Sequence, residues 1–220
     1  RAHELIAATV VSIDPERGNV VLDLGKGGSA VLPRNEQVPG ETFTEGQTVQ
    51  VYVVDVLATD RGPRVTISRT PPGRVKRMFE LEVPEIYDGT VEVKASAREA
   101  GARTKLAVWS KNPDVDPVGA CIGARGVRVE KIVQELNGEK IDVIRWSEDI
   151  TEFISAALSP AKVVKVELLP GETKSCRVTV PDHQLSLAIV HKGQHVRLFA
   201  HLTGYNIDIR PQSGYSRAAQ

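Results

Sequence analysis

Between residues 5 and 68 the apolar side chains come in short alternating or β-branched runs, at 5–13, 20–24, 30–33, 49–57 and 64–68. Such runs predict half-buried strands, because successive side chains of a strand point to opposite faces. Asp14-Pro15-Glu16-Arg17-Gly18-Asn19, Gly25-Lys26-Gly27-Gly28 and Asp60-Arg61-Gly62-Pro63 lie between the runs and carry the residues that tight turns require. After Thr70-Pro71-Pro72-Gly73 the period changes. Val75, Met78, Phe79 and Leu81 recur at helical spacing over 74–85. Two alternating stretches, 90–97 and 104–110, flank the turn Glu99-Ala100-Gly101-Ala102-Arg103 and predict a strand pair. Asp116 followed by Pro117 marks the cap and first position of a short helix. A second helix over 127–136 and a strand over 140–146 complete the run.

Residues 149–210 repeat that order: a helix over 150–158, strands at 163–169 and 175–180, a helix over 184–189 capped by Asp182, a helix over 193–202 and a strand at 206–210. The repetition reaches single residues. Cys121-Ile122-Gly123-Ala124-Arg125-Gly126-Val127-Arg128-Val129, closed by Leu136-Asn137-Gly138-Glu139-Lys140-Ile141-Asp142-Val143, recurs as Ala188-Ile189-Val190-His191-Lys192-Gly193-Gln194-His195-Val196, closed by Leu202-Thr203-Gly204-Tyr205-Asn206-Ile207-Asp208-Ile209. The offset is 67 positions at the loops and 66 at the closing Ile-Asp. A short basic, glycine-containing loop inside α-β-β-α-α-β is the layout of a type II K-homology (KH) module, in which the loop clamps the backbone of about four nucleotides of single-stranded RNA. The five strands before it suit a small closed OB-type barrel. The expected organisation is therefore multidomain: an all-β barrel over 1–70, α+β KH modules over 71–148 and 149–212, and a flexible tail over 213–220. The chain opens at Arg1 without an initiator methionine and reads as a piece of something longer.

Small residues between two helix ends let a sugar-phosphate run approach the protein backbone, and the N–H groups at the second helix's start favour its oxygens. Arg125 can add a charge-assisted bond to phosphate. Ile122, Val129 and the closing strand would form an apolar floor for bases. GxxG alone is weak: Gly25-Lys26-Gly27-Gly28 fits it too, but stands between two strands and reads as a hairpin turn. In the second loop Val190 stands where the first glycine should be, and valine suits a positive backbone angle poorly. His191 and His195 are spaced i, i+4, yet Gly193 separates them and no acidic residue accompanies them, so no metal site is expected. Trp109 and Trp146 end strands and are expected to pack over the sheet or against the next module. Phe43 and Tyr52 give the barrel few rings for stacking.

A formal net charge of zero is unusual for a nucleic-acid binder. Its distribution matters more: residues 151–220 carry 8 basic and 5 acidic side chains. Arg125, Arg128 and Lys131 surround the first loop, Lys192 and Arg197 the second. A narrow basic track of this kind implies moderate affinity and clear salt dependence. Cys121 and Cys176 are isolated and read as reduced, small apolar side chains. No secretory signal and no run of membrane-spanning length is visible, so a cytoplasmic protein without a membrane partner is expected. Nothing in the pattern calls for a catalytic group or a cofactor.

Several strings resemble the RNA-binding half of the NusA family of bacterial transcription factors, ordered S1 barrel, first KH, second KH. They include Ala30-Val31-Leu32-Pro33, Phe79-Glu80-Leu81-Glu82-Val83-Pro84-Glu85-Ile86, Asp116-Pro117-Val118-Gly119-Ala120-Cys121-Ile122-Gly123 and Trp146-Ser147-Glu148-Asp149. Val190 and His195 stand where that family usually has Gly and Asn. The resemblance implies a factor that travels with RNA polymerase, holds nascent RNA and modulates pausing, termination and antitermination, alongside other Nus-type factors. It also implies that polymerase is bound through an N-terminal domain that this chain lacks. By position it assigns RNA contact to Ile122, Gly123, Ala124, Arg125, Gly126 and Arg128, then Val190, His191, Lys192, Gly193, Gln194 and Arg197. Two alternatives share the module types. Phosphorolytic ribonucleases commonly carry KH before S1, behind a catalytic core, and ribosome-associated KH proteins carry strongly basic extensions.

Overall fold

A computed structural model describes residues 2–25, 28–171, 173–189 and 194–213. The N-terminal runs become β1 (Leu5–Ile13), β2 (Val20–Asp23), β3 (Ser29–Leu32), β4 (Thr48–Thr59) and β5 (Gly62–Ser68). They pair antiparallel in the order β3-β2-β1-β4-β5, and β3 approaches β5, so the sheet rolls into a nearly closed OB-type barrel. Alternation sorts the side chains: Val10, Leu22, Leu32, Val51 and Ile67 fill the interior, while Val11 and Val31 face outward. β2 and β3 form a hairpin across the glycine-rich turn, where the Gly28 N–H donates to the Gly25 carbonyl at 3.1 Å; Lys26 and Gly27 lie outside the described residues.

The helix predicted over 74–85 is two helices, α1 (Pro72–Glu82) and α2 (Pro84–Tyr87). Proline disfavours the helical region for the residue before it, and Val83 accordingly sits at φ −105°, ψ 107°. β6 (Val91–Glu99) and β7 (Arg103–Ser110) follow, then α3 (Pro117–Ile122), α4 (Val127–Glu135) and β8 (Lys140–Arg145). β7 is central, antiparallel to β6 and parallel to β8. The second copy is α5 (Ile150–Ala157), β9 (Lys165–Leu169), β10 (Ser175–Val180), α6 (Leu185–Ile189), α7 (Gln194–Thr203) and β11 (Asn206–Pro211). Its central β10 is antiparallel to β9 and parallel to β11. Both copies thus have the mixed three-stranded sheet and α-β-β-α-α-β order of a type II KH module. Of the tail expected to be flexible, residues 214–220 lie outside the described residues.

The first KH sheet is covered on both faces. Leu106 and Val108 point to one side, where Val75, Phe79, Cys121 and Ile132 complete the module's own core. Ala97, Ala107 and Ile144 point to the other and join a core made mostly by the second module, including Phe153, Ile154, Leu198, Phe199 and Leu202. α7 lies on β6 and β7, and α5 on β8. Lys105 is enclosed at this junction; its Nζ donates to Asp142 Oδ2 at 3.1 Å and to the Ser159 carbonyl at 2.9 Å. Burial holds its pKa below the ordinary lysine value, against the pull of Asp142.

The barrel meets the first KH module mainly through charge, with Leu5 of β1 packing partly buried against that module's core. Arg98 and Glu139 form an ion pair whose side chains are both 0% exposed. Glu139 also accepts from the Gly101 N–H and the Thr104 hydroxyl, each at 2.7 Å. Arg98 Nη1 donates to the carbonyls of Arg69 and Pro71 across the joint, and Arg69 pairs with Glu41. Arg74 donates to the same Arg69 carbonyl at 3.0 Å. Burial, with Arg69 and Arg98 nearby, lowers its pKa to about 9. Gly73 is required here, since a Cβ would lie 2.6 Å from the Tyr52 hydroxyl.

Removing one partner of a buried pair strands the other charge. Glu139→Ala should therefore cost about 3–5 kcal/mol in urea-induced unfolding. Arg77→Ala, which breaks a partly exposed pair with Glu4 at 2.8 Å, should cost no more than about 1 kcal/mol.

Candidate nucleic-acid interface

The first loop is a left-handed elbow between two right-handed helices. The Asp116 carboxylate accepts from the Val118 N–H at 3.1 Å and starts α3. The chain then leaves the helix at Gly123 (φ 78°), passes Arg125 (φ 56°) and enters α4 from Gly126 (φ 74°). The two glycines do different work. At Gly123 a Cβ would lie 2.8 Å from Arg128 Cγ, whereas at Gly126 it would meet nothing within 4 Å. A non-glycine residue at positive φ is uncommon and costs on the order of 1–3 kcal/mol, a strain that tends to collect at functional sites.

Ala124 and Arg125 are exposed. Among the described residues Arg125 has no hydrogen bond or ion pair, so its guanidinium is available to a ligand. Arg128 is differently placed: it donates to the Ala120 carbonyl at 2.7 Å and to Glu85 Oε2 at 2.9 Å. It thereby ties the end of α3 and the start of α4 to α2, and supports the elbow from beneath. Lys131 pairs with Glu82 at 3.1 Å. Ile122 is half-buried. Val129, Ile141 and Val143 pack partly exposed against the module's core. Among the described residues β8 pairs with β7 alone, which leaves its outer backbone edge open. The elbow, these apolar side chains and that edge together make a furrow suited to an extended, unpaired strand.

The second loop, with Val190, His191, Lys192 and Gly193, lies outside the described residues. Gln194 and Arg197, at the start of α7, turn to the first module. Gln194 Nε2 donates to Glu99 Oε2 at 3.0 Å and Arg197 Nε to Glu99 Oε1 at 2.5 Å. The Arg197 hydrogen bond above all holds the Glu99 carboxyl below the usual carboxylate range; burial opposes it, and Gln194 adds a lesser pull in the same direction as Arg197. Glu99 escaped sequence reasoning because nothing local marks it; the partners stand 95 and 98 positions away.

The aromatic residues singled out in the sequence, Trp109, Trp146, Phe43 and Tyr52, are engaged. The Lys94 ammonium lies 4.6 Å from the Trp109 ring and 5.2 Å from that of Trp146, and Trp146 packs against the shared core beside Phe153. In the barrel, Tyr52 is buried and bonded to His3, and Arg69 lies over Phe43. Burial pushes the Cys121 thiol up to about 12 and that of Cys176 to about 11. Among the described residues no helix is long and apolar enough to cross a membrane.

Comparison with known proteins matches three successive stretches of the chain. Residues 1–68 match the S1 RNA binding domain, 69–146 the NusA-like first KH domain and 150–217 the NusA-like second KH domain. The transcription termination/antitermination protein NusA of Halalkalibacterium halodurans is 56% identical over 194 residues, covering 88% of this chain and 50% of that protein. The Bacillus subtilis protein of the same name is 53% identical, covering 88% and 52%. That of Mycobacterium tuberculosis is 47% identical over 228 residues, covering 96% and 66%. The chain thus spans about half the length of the first two relatives.

Thermal unfolding of two alanine variants checks the elbow. Gly126→Ala carries only the cost of its positive φ, about 1 kcal/mol. Gly123→Ala adds the collision with Arg128 and should lose measurably more. Both cysteines should also resist alkylation at pH 8 in the folded protein and react on unfolding.

Proposed function

The chain belongs to the NusA family, as its S1–KH–KH portion, and from that premise we propose that it holds the nascent transcript as single-stranded RNA. The full protein would act in the cytoplasm as an elongation factor that modulates pausing, termination and antitermination. RNA polymerase and other Nus-type factors would be its partners, with polymerase engaged by a domain outside this chain. The segment itself acts by binding, without a catalytic step or a cofactor.

One observation carries the reading: the Gly123–Gly126 elbow, with Ala124 and Arg125 exposed and Arg125 without a partner among the described residues, stands beside the open edge of β8. Phosphates settle on the elbow, where the backbone is approachable and the N-terminal N–H groups of α4 favour negative charge. Bases lie over Ile122, Val129, Ile141 and Val143, with the β8 edge offering donors and acceptors. The shared core fixes the second module against the first, so RNA held at one site presents its next nucleotides to the other at high effective concentration.

Gly126→Asp tests this directly. The position has room for a side chain, and aspartate tolerates positive φ better than most residues, so circular dichroism should be unchanged. The carboxylate would face phosphate, and affinity for an unstructured RNA oligonucleotide should fall on the order of tenfold, a loss of about 1.4 kcal/mol. Arg125→Ala should weaken binding and reduce the slope of log K against log salt by about 0.7. Unchanged titrations for both variants would exclude this loop as the clamp.

A further inference from the structure

We propose that Glu99 tunes the second KH module's hold on RNA, because its carboxylate takes the place on Gln194 and Arg197 that an RNA phosphate occupies in the bound state. The inference rests on the RNA-holding role proposed above. Glu99 is the last residue of β6 in the first module, and its two oxygens are divided between the two side chains, Oε1 to Arg197 and Oε2 to Gln194. A phosphodiester offers the same thing, two anionic oxygens on one centre.

The contact is poorly explained as a structural fastening. The Arg197 side chain is 49% exposed and that of Glu99 29%, and ion pairs in such surroundings add little to an interface. α7 is secured without it: Leu198 and Phe199, immediately after Arg197, are 1% and 0% exposed in the shared core. The pair is therefore weak enough to be exchanged, while α7 stays in place as the exchange occurs. Glu99 also brings negative charge to the basic track at the point where the two modules meet, so it lowers the attraction for RNA there. The cost falls on any ligand that does not replace both bonds, which favours a phosphate with two free oxygens over a single neutral acceptor.

The test is Glu99→Gln in the S1–KH–KH chain, titrated with an unstructured RNA oligonucleotide long enough to reach both modules. At low salt the affinity should rise roughly two- to fivefold, the range of one exposed ion pair. The gain should vanish in Glu99→Gln/Arg197→Ala, and the melting temperature should stay within that of the parent. Unchanged affinity would overturn the proposal, as would weaker binding, which would make Glu99 a support for α7. Gly126→Asp in the same assay separates the two levels. If it weakens binding while Glu99→Gln is silent, only this inference falls; if it too is silent, the RNA reading falls and takes this one with it.

Discussion

The apolar contact between the back of the first KH sheet and helices α5 and α7 governs the rest of the molecule. Fully burying a leucine- or phenylalanine-sized side chain contributes about 1.5–3 kcal/mol, and Phe153, Ile154, Leu198, Phe199 and Leu202 all enter this core. That is far more than any ion pair at the same junction supplies. It explains why α7 can carry polar side chains toward the first module without depending on them. It also makes β7 a strand buried on both faces from Arg103 to Val108, an arrangement more usual in parallel sheets sandwiched between helices.

The joint to the barrel follows a different logic. Desolvating Arg98 and Glu139 is costly, and their attraction compensates only because nearly every donor and acceptor is matched. Such a joint adds little net strength but accepts few geometries: a small rotation would break the bonds to the Arg69 and Pro71 carbonyls together. The barrel is therefore held in orientation by polar complementarity, and the second KH module by burial. Arg128 follows the first logic on a smaller scale, fixing the elbow by satisfying one helix-end carbonyl and one carboxylate.

Much of this was legible in the residue pattern. The five barrel strands, both KH element orders and the Asp116-Pro117 helix start follow from periodicity and local turn chemistry, because those features act within a few residues. The break at Val83 was also written locally, in Pro84, but the apolar period runs across it and conceals it. Lys105 is concealed in another way. A lysine in an alternating strand reads as solvent-facing, and only Asp142 and the Ser159 carbonyl, both distant in sequence, make its burial tolerable. At the site, the elbow was visible as Gly123–Gly126. The division of labour between Arg125, which has no partner among the described residues, and Arg128, which is committed to Glu85 and Ala120, depends on how α2 folds back and no spacing rule contains it. The link from Glu99 to Gln194 and Arg197 is invisible for the same reason.

Because a helix some hundred residues further along the chain completes a surface begun near residue 97, order of synthesis matters. When the first KH module leaves the ribosome it can close its own front core, and α5 follows at once to cover β8, yet Ala97 and Ala107 on β6 and β7 stay bare until α7 has been translated, about a hundred residues after β6. For that interval the nascent chain displays a sheet face that is only partly clad. The two modules then mature as a single unit, and a chain cut short before Leu202 would leave a half-clad sheet open to chaperones and self-association.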